Sequence, residues 1–230
     1  MLEKIINRLV LILDMNIIAI DEAGRGPVLG PMVMCGVSVS DKKIPDLIEM
    51  GVKDSKLLSP SVREELAPKI KKLVSDYKTI MVSSEEIDSL ISKGVNLNDI
   101  EMLKTAEIIN SLKGDKAIID CPSTNIEAYK GELLAKLNNK KIELIVEHKA
   151  DFNYPEVGAA SVLAKVLRDS EVEKLKEKYD ADFGSGYMSD PLTKSFIEKN
   201  FDKYPELFRH SWSSWKDLKI GKTQKKLGDY

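Results

Sequence analysis

The feature that most constrains this chain is a short apolar run, Ile17-Ile18-Ala19-Ile20, that passes directly into two acids and a glycine-rich turn, Asp21-Glu22-Ala23-Gly24-Arg25-Gly26-Pro27. A run this short, β-rich and closed by turn residues reads as a buried strand. Two more acids repeat the arrangement. Ala117-Ile118-Ile119 ends in Asp120-Cys121-Pro122, and the apolar residues 142–146 lead through Glu147-His148-Lys149-Ala150 to Asp151. Carboxylates stacked at the carboxyl ends of buried strands lose hydration and repel one another. A fold keeps them when something positive sits between, most simply a divalent metal.

The rest of the chain alternates strand and helix patterns. After the glycine-rich turn, residues 32–39 read as a second strand returning antiparallel beside the first. Asp54-Ser55-Lys56 follows in a loop, and Ser59-Pro60-Ser61 opens a helix running to about Val74, with Glu64 and Glu65 early, where acids favour the helix dipole. Strands are expected at 77–82, 116–120 and 142–146, with helices at 84–91, 98–112, 125–137 and 155–179. Ser123, Thr124 and Asn125 fit a helix cap first and a phosphate contact second. Strands alternating with helices of this length favour an α/β layer fold with a mixed sheet, whose ligands sit beyond the strand carboxyl ends. Past Gly184-Ser185-Gly186-Tyr187 the texture changes to short helical pieces at 191–200 and 205–218, anchored by Trp212 and Trp215.

That divides the chain into residues 1–14, a dispensable leader or over-called start; 15–184, the main domain; and 185–230, a helical extension docked on it. With a formal net charge of -2, the chain does not coat nucleic acid by bulk electrostatics, so any phosphate-binding surface must be local. The lysines of residues 216–226 form one candidate patch, or a solvated tail. Cys35 and Cys121 lie in neither a CxxC nor a His-rich setting. The apolar residues 9–13 are too few to span a bilayer, and the cytoplasm is the expected compartment.

Asp21 and Glu22 are neighbours, and neighbours on an extended strand face opposite sides. Both reach one metal site only if the strand breaks at Glu22. A pair of hard cations takes oxygen ligands and can serve both attacking and leaving oxygens in hydrolysis, a task that suits Asp21, Glu22, Asp120 and Asp151. Taken singly, each acid is more often a turn or cap residue; three separate chain segments converging is what favours the metal. The Gly24-Arg25-Gly26 loop relieves a tight turn on one reading, and on the other offers backbone amides and an arginine fork to a phosphate or sugar hydroxyl. Neither GxGxxG nor GxxxxGK[ST] is present. Lys165 and Arg168 lie one helical turn apart and either face a nucleic acid backbone or pair with nearby acids, the latter being expected for Arg168. His148 and His210 are assigned no catalytic role.

Six ordered motifs carry a resemblance: DEAGRG at 21–26, DSK at 54–56, DCPS at 120–123, KADxxYPxVGAASVLAKVxRD at 149–169, GSGYxSDPxT at 184–193 and RHSWSSW at 209–215. Together they resemble the type 2 ribonuclease H family, in particular its archaeal ribonuclease HII group, over residues 15–215. The resemblance implies a ribonuclease H-like fold. It also implies an endonuclease that hydrolyses the RNA strand of RNA–DNA hybrids, or nicks 5′ of a ribonucleotide embedded in duplex DNA, leaving 3′-hydroxyl and 5′-phosphate ends. It implies two Mg²⁺ or Mn²⁺ ions on Asp21, Glu22, Asp120 and Asp151. By the same resemblance Gly24, Arg25 and Gly26 read the ribose 2′-hydroxyl, and Tyr187 packs on the sugar after the junction. Lys56 and Lys165 are further substrate-binding candidates, and the protein is expected to act as a monomer. Met188 stands where many relatives have proline. The rival readings are a catalytically silent hybrid-binding protein and another metal-dependent phosphoryl-transfer enzyme.

Overall fold

The computed structural model describes residues 14–52 and 57–217. Lys56, the expected leader up to residue 13 and the basic stretch beyond Asp217 lie outside the described residues. Five strands form one sheet in the order β3-β2-β1-β4-β5. They are β1 Asn16–Ala23, β2 Met32–Ser40, β3 Asp76–Val82, β4 Lys116–Asp120 and β5 Glu143–Glu147. β1, β4 and β5 run parallel, with Ile20 opposite Ile119 and Ile119 opposite Val146. Residues 24–31 are too few for the crossover of about a dozen residues that a parallel pair requires, so β2 returns antiparallel and the sheet is mixed.

The helices are α1 Ile44–Glu49, α2 Pro60–Leu73, α3 Ser84–Ser92, α4 Leu97–Ser111, α5 Ile126–Lys136, α6 Ala150–Asn153, α7 Pro155–Tyr179 and α8 Pro191–Asn200. Their starts follow from short polar side chains that satisfy the first backbone amides. Ser59 accepts from the Val62 amide, Ser83 from Glu86 and Asn125 from Ala128.

The structure corrects three expectations. β1 does not break at Glu22 but continues to Ala23, because the buried side chains from Ile17 to Asp21, and again at Ala23, hold it in the sheet until Gly24 takes a φ of +78°. Asp151 does not extend a strand end; it lies in the one-turn helix α6, which, like α1, is too short to leave a periodic signature. Residues 205–218 are not one helical piece. A 3-10 turn at Pro205–Leu207 gives way to Phe208, bridged antiparallel to Leu29, before helix resumes at residue 213.

The chain folds into two compact units. The first gathers Met1–Glu22, Met34–Ile80 and Glu101–Val166. Its centre is the buried apolar face of β1 and β4 together with residues 34–39 of β2, all of them buried. Burial of consecutive residues shows that both faces of that strand are covered. The second unit gathers Ala23–Val33, Met81–Ile100 and Leu167–Tyr230. Its core is aromatic: Phe208 stacks on Trp215 at 4.7 Å and Phe183 meets Phe196 at 5.6 Å. Val28, Leu29 and Ile197 complete it, and Met188 packs against it.

Close approach of α4 to the sheet depends on Gly36. A Cβ there would lie 2.2 Å from Ile108 Cγ2 and 3.3 Å from Leu112 Cδ1. Gly36→Ala is therefore expected to cost about 1–3 kcal/mol through overpacking, read as a lowered thermal midpoint. An unchanged midpoint would show that α4 yields without penalty.

Candidate active site

Asp21 sits near the end of β1 and is buried, as are Ile20 before it and Ala23 after it, whereas Glu22 is half-exposed. One step beyond the Ile20–Ile119 pair, the parallel register brings Asp21 to the level of Asp120. Burial pushes the Asp21 carboxyl well above the ordinary carboxylate range, and repulsion from Glu22 and then Asp120 pushes the same way. The Ser161 hydroxyl and the Glu22 amide oppose the rise by hydrogen-bonding the carboxylate. These three acids therefore feel one another strongly enough to alter Asp21.

The segment before Asp151 reaches Asp120 through the backbone. Where β5 ends, Lys149 adopts a left-handed conformation, φ 60° and ψ 37°, which costs a non-glycine residue about 1–2 kcal/mol. Such strain persists where the surroundings dictate it. Here the turn starts α6 with the Ala150 amide donating to Asp120 Oδ1 at 3.1 Å, and buried Asp151 follows by one residue.

Ser161, on α7, is completely buried. Lys165 Nζ donates to its Oγ at 2.8 Å. An ammonium can only donate, so the hydroxyl keeps its own proton for Asp21. Lys165 is thereby tied to the acidic cluster through Ser161.

Among the described residues, no group of three His, Cys, Asp or Glu side chains stands arranged to hold an ion. Ser161 and the Glu22 amide bond Asp21, and the Ala150 amide bonds Asp120. The donor set still fits a hard divalent cation. It is all oxygen, and a cation beside Asp21 would offset the repulsions that raise its pKa.

The glycine-rich loop belongs to the second unit. Gly24 is required both by its positive φ and by space, since a Cβ would meet Pro31 O at 2.6 Å. Arg25 Nη2 donates to Asn98 Oδ1 at 2.7 Å. At Gly26 a Cβ would reach only ordinary contact, 3.6 Å from Tyr187 Cε1, so packing does not demand glycine there. Tyr187 is 38% exposed, and the Arg168 guanidinium lies 5.5 Å from its ring centre. The expected pairing of Arg168 with Asp169 is present at 3.4 Å, but the shorter bond runs from Nη2 to Ser185 O.

His148 Nδ1 meets Cys121 O at 3.0 Å and His210 Nε2 meets Pro205 O at 2.8 Å, both backbone contacts. Three residues carry no role in the sequence pattern alone: Ser161 and Arg209 stand only within motifs and Asn98 only at a helix start, and Arg209 is completely buried.

A family model described as Ribonuclease HII matches residues 18–215. Ribonuclease HII from Pyrococcus furiosus is 45% identical over 204 residues, spanning 87% of this chain and 89% of that protein. Among solved structures, the ribonuclease H2 from Pyrococcus horikoshii OT3 superposes with a TM-score of 0.81 at 39% identity, covering 89% of this chain and 97% of that one. The RNase HII of Archaeoglobus fulgidus, solved in a complex with PCNA, gives 0.79 at 41% identity, covering 86% and 96%.

The raised pKa of Asp21 has a stability consequence in chelator. Above the ordinary carboxylate range the unfolded chain has lost this proton while the folded protein keeps it, so stability falls as pH rises towards the raised value. Asp21→Asn removes that penalty. Its thermal midpoint is expected to exceed the wild type's increasingly as pH rises through this window, and to match it in acid, where both states are protonated. A variant less stable throughout would contradict the assignment.

Proposed function

The chain belongs to the ribonuclease HII family, metal-dependent endoribonucleases that cleave RNA in RNA–DNA hybrids, and from that premise we propose how its residues divide the work. Asp21, Glu22, Asp120 and Asp151 hold the divalent ions, two in number and Mg²⁺ or Mn²⁺ in kind; β1 runs on through Glu22, yet the Glu22 carboxylate stands close enough to repel that of Asp21, which leaves both available to one site without a break in the strand. The observation that carries this is the Asp21 carboxyl, raised by burial and further by its acidic neighbours Glu22 and Asp120. Bound there, divalent ions supply Lewis-acid activation of water and stabilisation of the departing oxygen.

The protein's own contribution is to hold carboxylates in place before substrate arrives. Ser161 fixes one face of Asp21, and Lys165, donating to Ser161, fixes the hydroxyl. The Ala150 amide orients Asp120. In the reaction, water oxygen bonds to phosphorus and the bond from phosphorus to the 3′ oxygen breaks. That oxygen takes a proton, leaving 3′-hydroxyl and 5′-phosphate ends.

Gly24, Arg25 and Gly26 read the ribose 2′-hydroxyl, and Tyr187 packs on the adjoining sugar. Support comes from Gly26, which no packing constraint explains, and from the half-exposed Tyr187 ring beside it. A bare α-carbon lets a sugar approach the backbone closely. Nicking 5′ of a single embedded ribonucleotide follows from reading one ribose. Lys56 and Lys165 are further substrate contacts in this reading. No helix among the described residues is long and apolar enough to cross a membrane. A cytoplasmic monomer completes the proposal, with a PCNA-like partner, as in the A. fulgidus complex, to be sought by co-elution.

The decisive substrate is a DNA duplex carrying one ribonucleotide, with the cut mapped in divalent ion and in chelator. Wild type is expected to cut 5′ of the ribose only with the ion, and not to cut when deoxyribose replaces it. Cutting without ion, or without ribose, would overturn the reading. Asp21→Asn should lose several kcal/mol of transition-state stabilisation, on the order of a thousandfold in rate. Gly26→Ala should fold with stability within about 0.5 kcal/mol of wild type yet lose preference for the ribose duplex. Retained preference would remove the loop from its assigned role.

A further inference from the structure

The RHSWSSW segment at 209–215 has so far been given no function, yet it holds the largest fully buried side chain among the described residues, Arg209. Its guanidinium is spent on backbone carbonyls of the glycine-rich loop. Nη2 donates to Gly24 O at 2.6 Å and to Gly30 O at 2.8 Å, Nη1 to Arg25 O at 2.8 Å, and Nε to Gly30 O at 3.0 Å. Trp212 lies against the guanidinium at 4.8 Å and donates its indole N–H to Gly26 O at 3.2 Å. Three successive carbonyls, those of Gly24, Arg25 and Gly26, thus turn towards one segment.

The consequence for the other side of the loop is geometric. With no cis peptide bonds among the described residues, each carbonyl points opposite to the N–H of the following residue. Drawing the Gly24 and Arg25 carbonyls onto Arg209 turns the Arg25 and Gly26 amides the opposite way. Residue 27 is proline and adds no N–H. The bracing segment is itself fixed: the Arg209 amide bonds Val28 O at 2.8 Å, and Asp88 accepts from the amides of His210 and Ser211. Burial holds the Arg209 pKa down to about 10, with Arg168 adding repulsion, so at neutral pH a fixed positive charge stands behind those amides.

We propose that Arg209, assisted by Trp212, is the positioning residue for ribose recognition: it locks the Gly24–Arg25–Gly26 backbone with two amides turned away from it, ready to meet an electronegative sugar oxygen. The proposal rests on the loop reading given above. Arg209 touches no substrate; it acts through the loop's backbone. A planar fork that serves three carbonyls at once is something lysine cannot reproduce.

The test uses the full-length protein, with KM and kcat on the single-ribonucleotide duplex and the inhibition constant of the matching all-DNA duplex. Arg209→Lys is expected to raise KM roughly tenfold, the scale of one lost charge-assisted hydrogen bond. Calorimetric Mn²⁺ affinity should stay unchanged, and the preference for ribose over deoxyribose should collapse by a similar factor. A folded Arg209→Lys with wild-type KM and preference would overturn the proposal. If that variant does not fold, Trp212→Phe keeps a ring beside Arg209 and removes only the donor to Gly26 O. It should lose preference by roughly threefold, and wild-type preference in it would equally overturn the proposal. Gly26→Ala separates the two levels. If it leaves preference intact, the loop reading falls and the clamp with it. If it abolishes preference while Arg209→Lys and Trp212→Phe do not, the clamp alone falls.

Discussion

Everything in the first unit turns on the repulsion between desolvated carboxylates at the ends of neighbouring strands. The Asp21 carboxyl is raised in pKa first by its own burial and then by Glu22 and Asp120, which is an unfavourable way to end a strand. The fold retains the arrangement by surrounding it with donors: Ser161 and a backbone amide for Asp21, the Ala150 amide for Asp120. The strained Lys149 turn serves the same end, since it is what sets the Ala150 amide on Asp120.

The second unit solves a different problem, which is to present backbone rather than side chains. Gly24 ends β1 in a conformation other residues avoid, and the segment after Phe208 captures the carbonyls that follow. An aromatic core around Phe208 and Trp215 keeps that segment in place. Both units draw on β1, which supplies Asp21 and Glu22 to one and Ala23 to the other.

Much of this was legible in the sequence because the relevant signals are local. Residues 116–120 read as a strand and 155–179 as a helix, and both stand in the structure with those bounds. The Ser59 and Asn125 caps were visible for the same reason, as short polar side chains before periodic runs. What escaped was set by tertiary contact. β1 continues through Glu22 because the sheet holds it, where local turn chemistry suggested a break. α6 is a single turn dictated by the Lys149 conformation, which no pattern of apolar residues announces. Arg209 stood only within a motif, since nothing in its neighbours reveals that distant carbonyls will enclose it. The motifs named the acids together; the register of β1 on β4 sets Asp21 level with Asp120, and the Ala150 amide ties the segment before Asp151 to Asp120.

The central claim is that acids from separate segments act as one cation-binding unit. Calorimetric titration of Mn²⁺ into the wild type and into Asp21→Asn, Glu22→Gln, Asp120→Asn and Asp151→Asn tests it most directly. Substantially weakened binding in every variant, with the largest loss at Asp21 or Asp120, is the expected result. Wild-type affinity in both Asp21→Asn and Asp120→Asn would contradict the account.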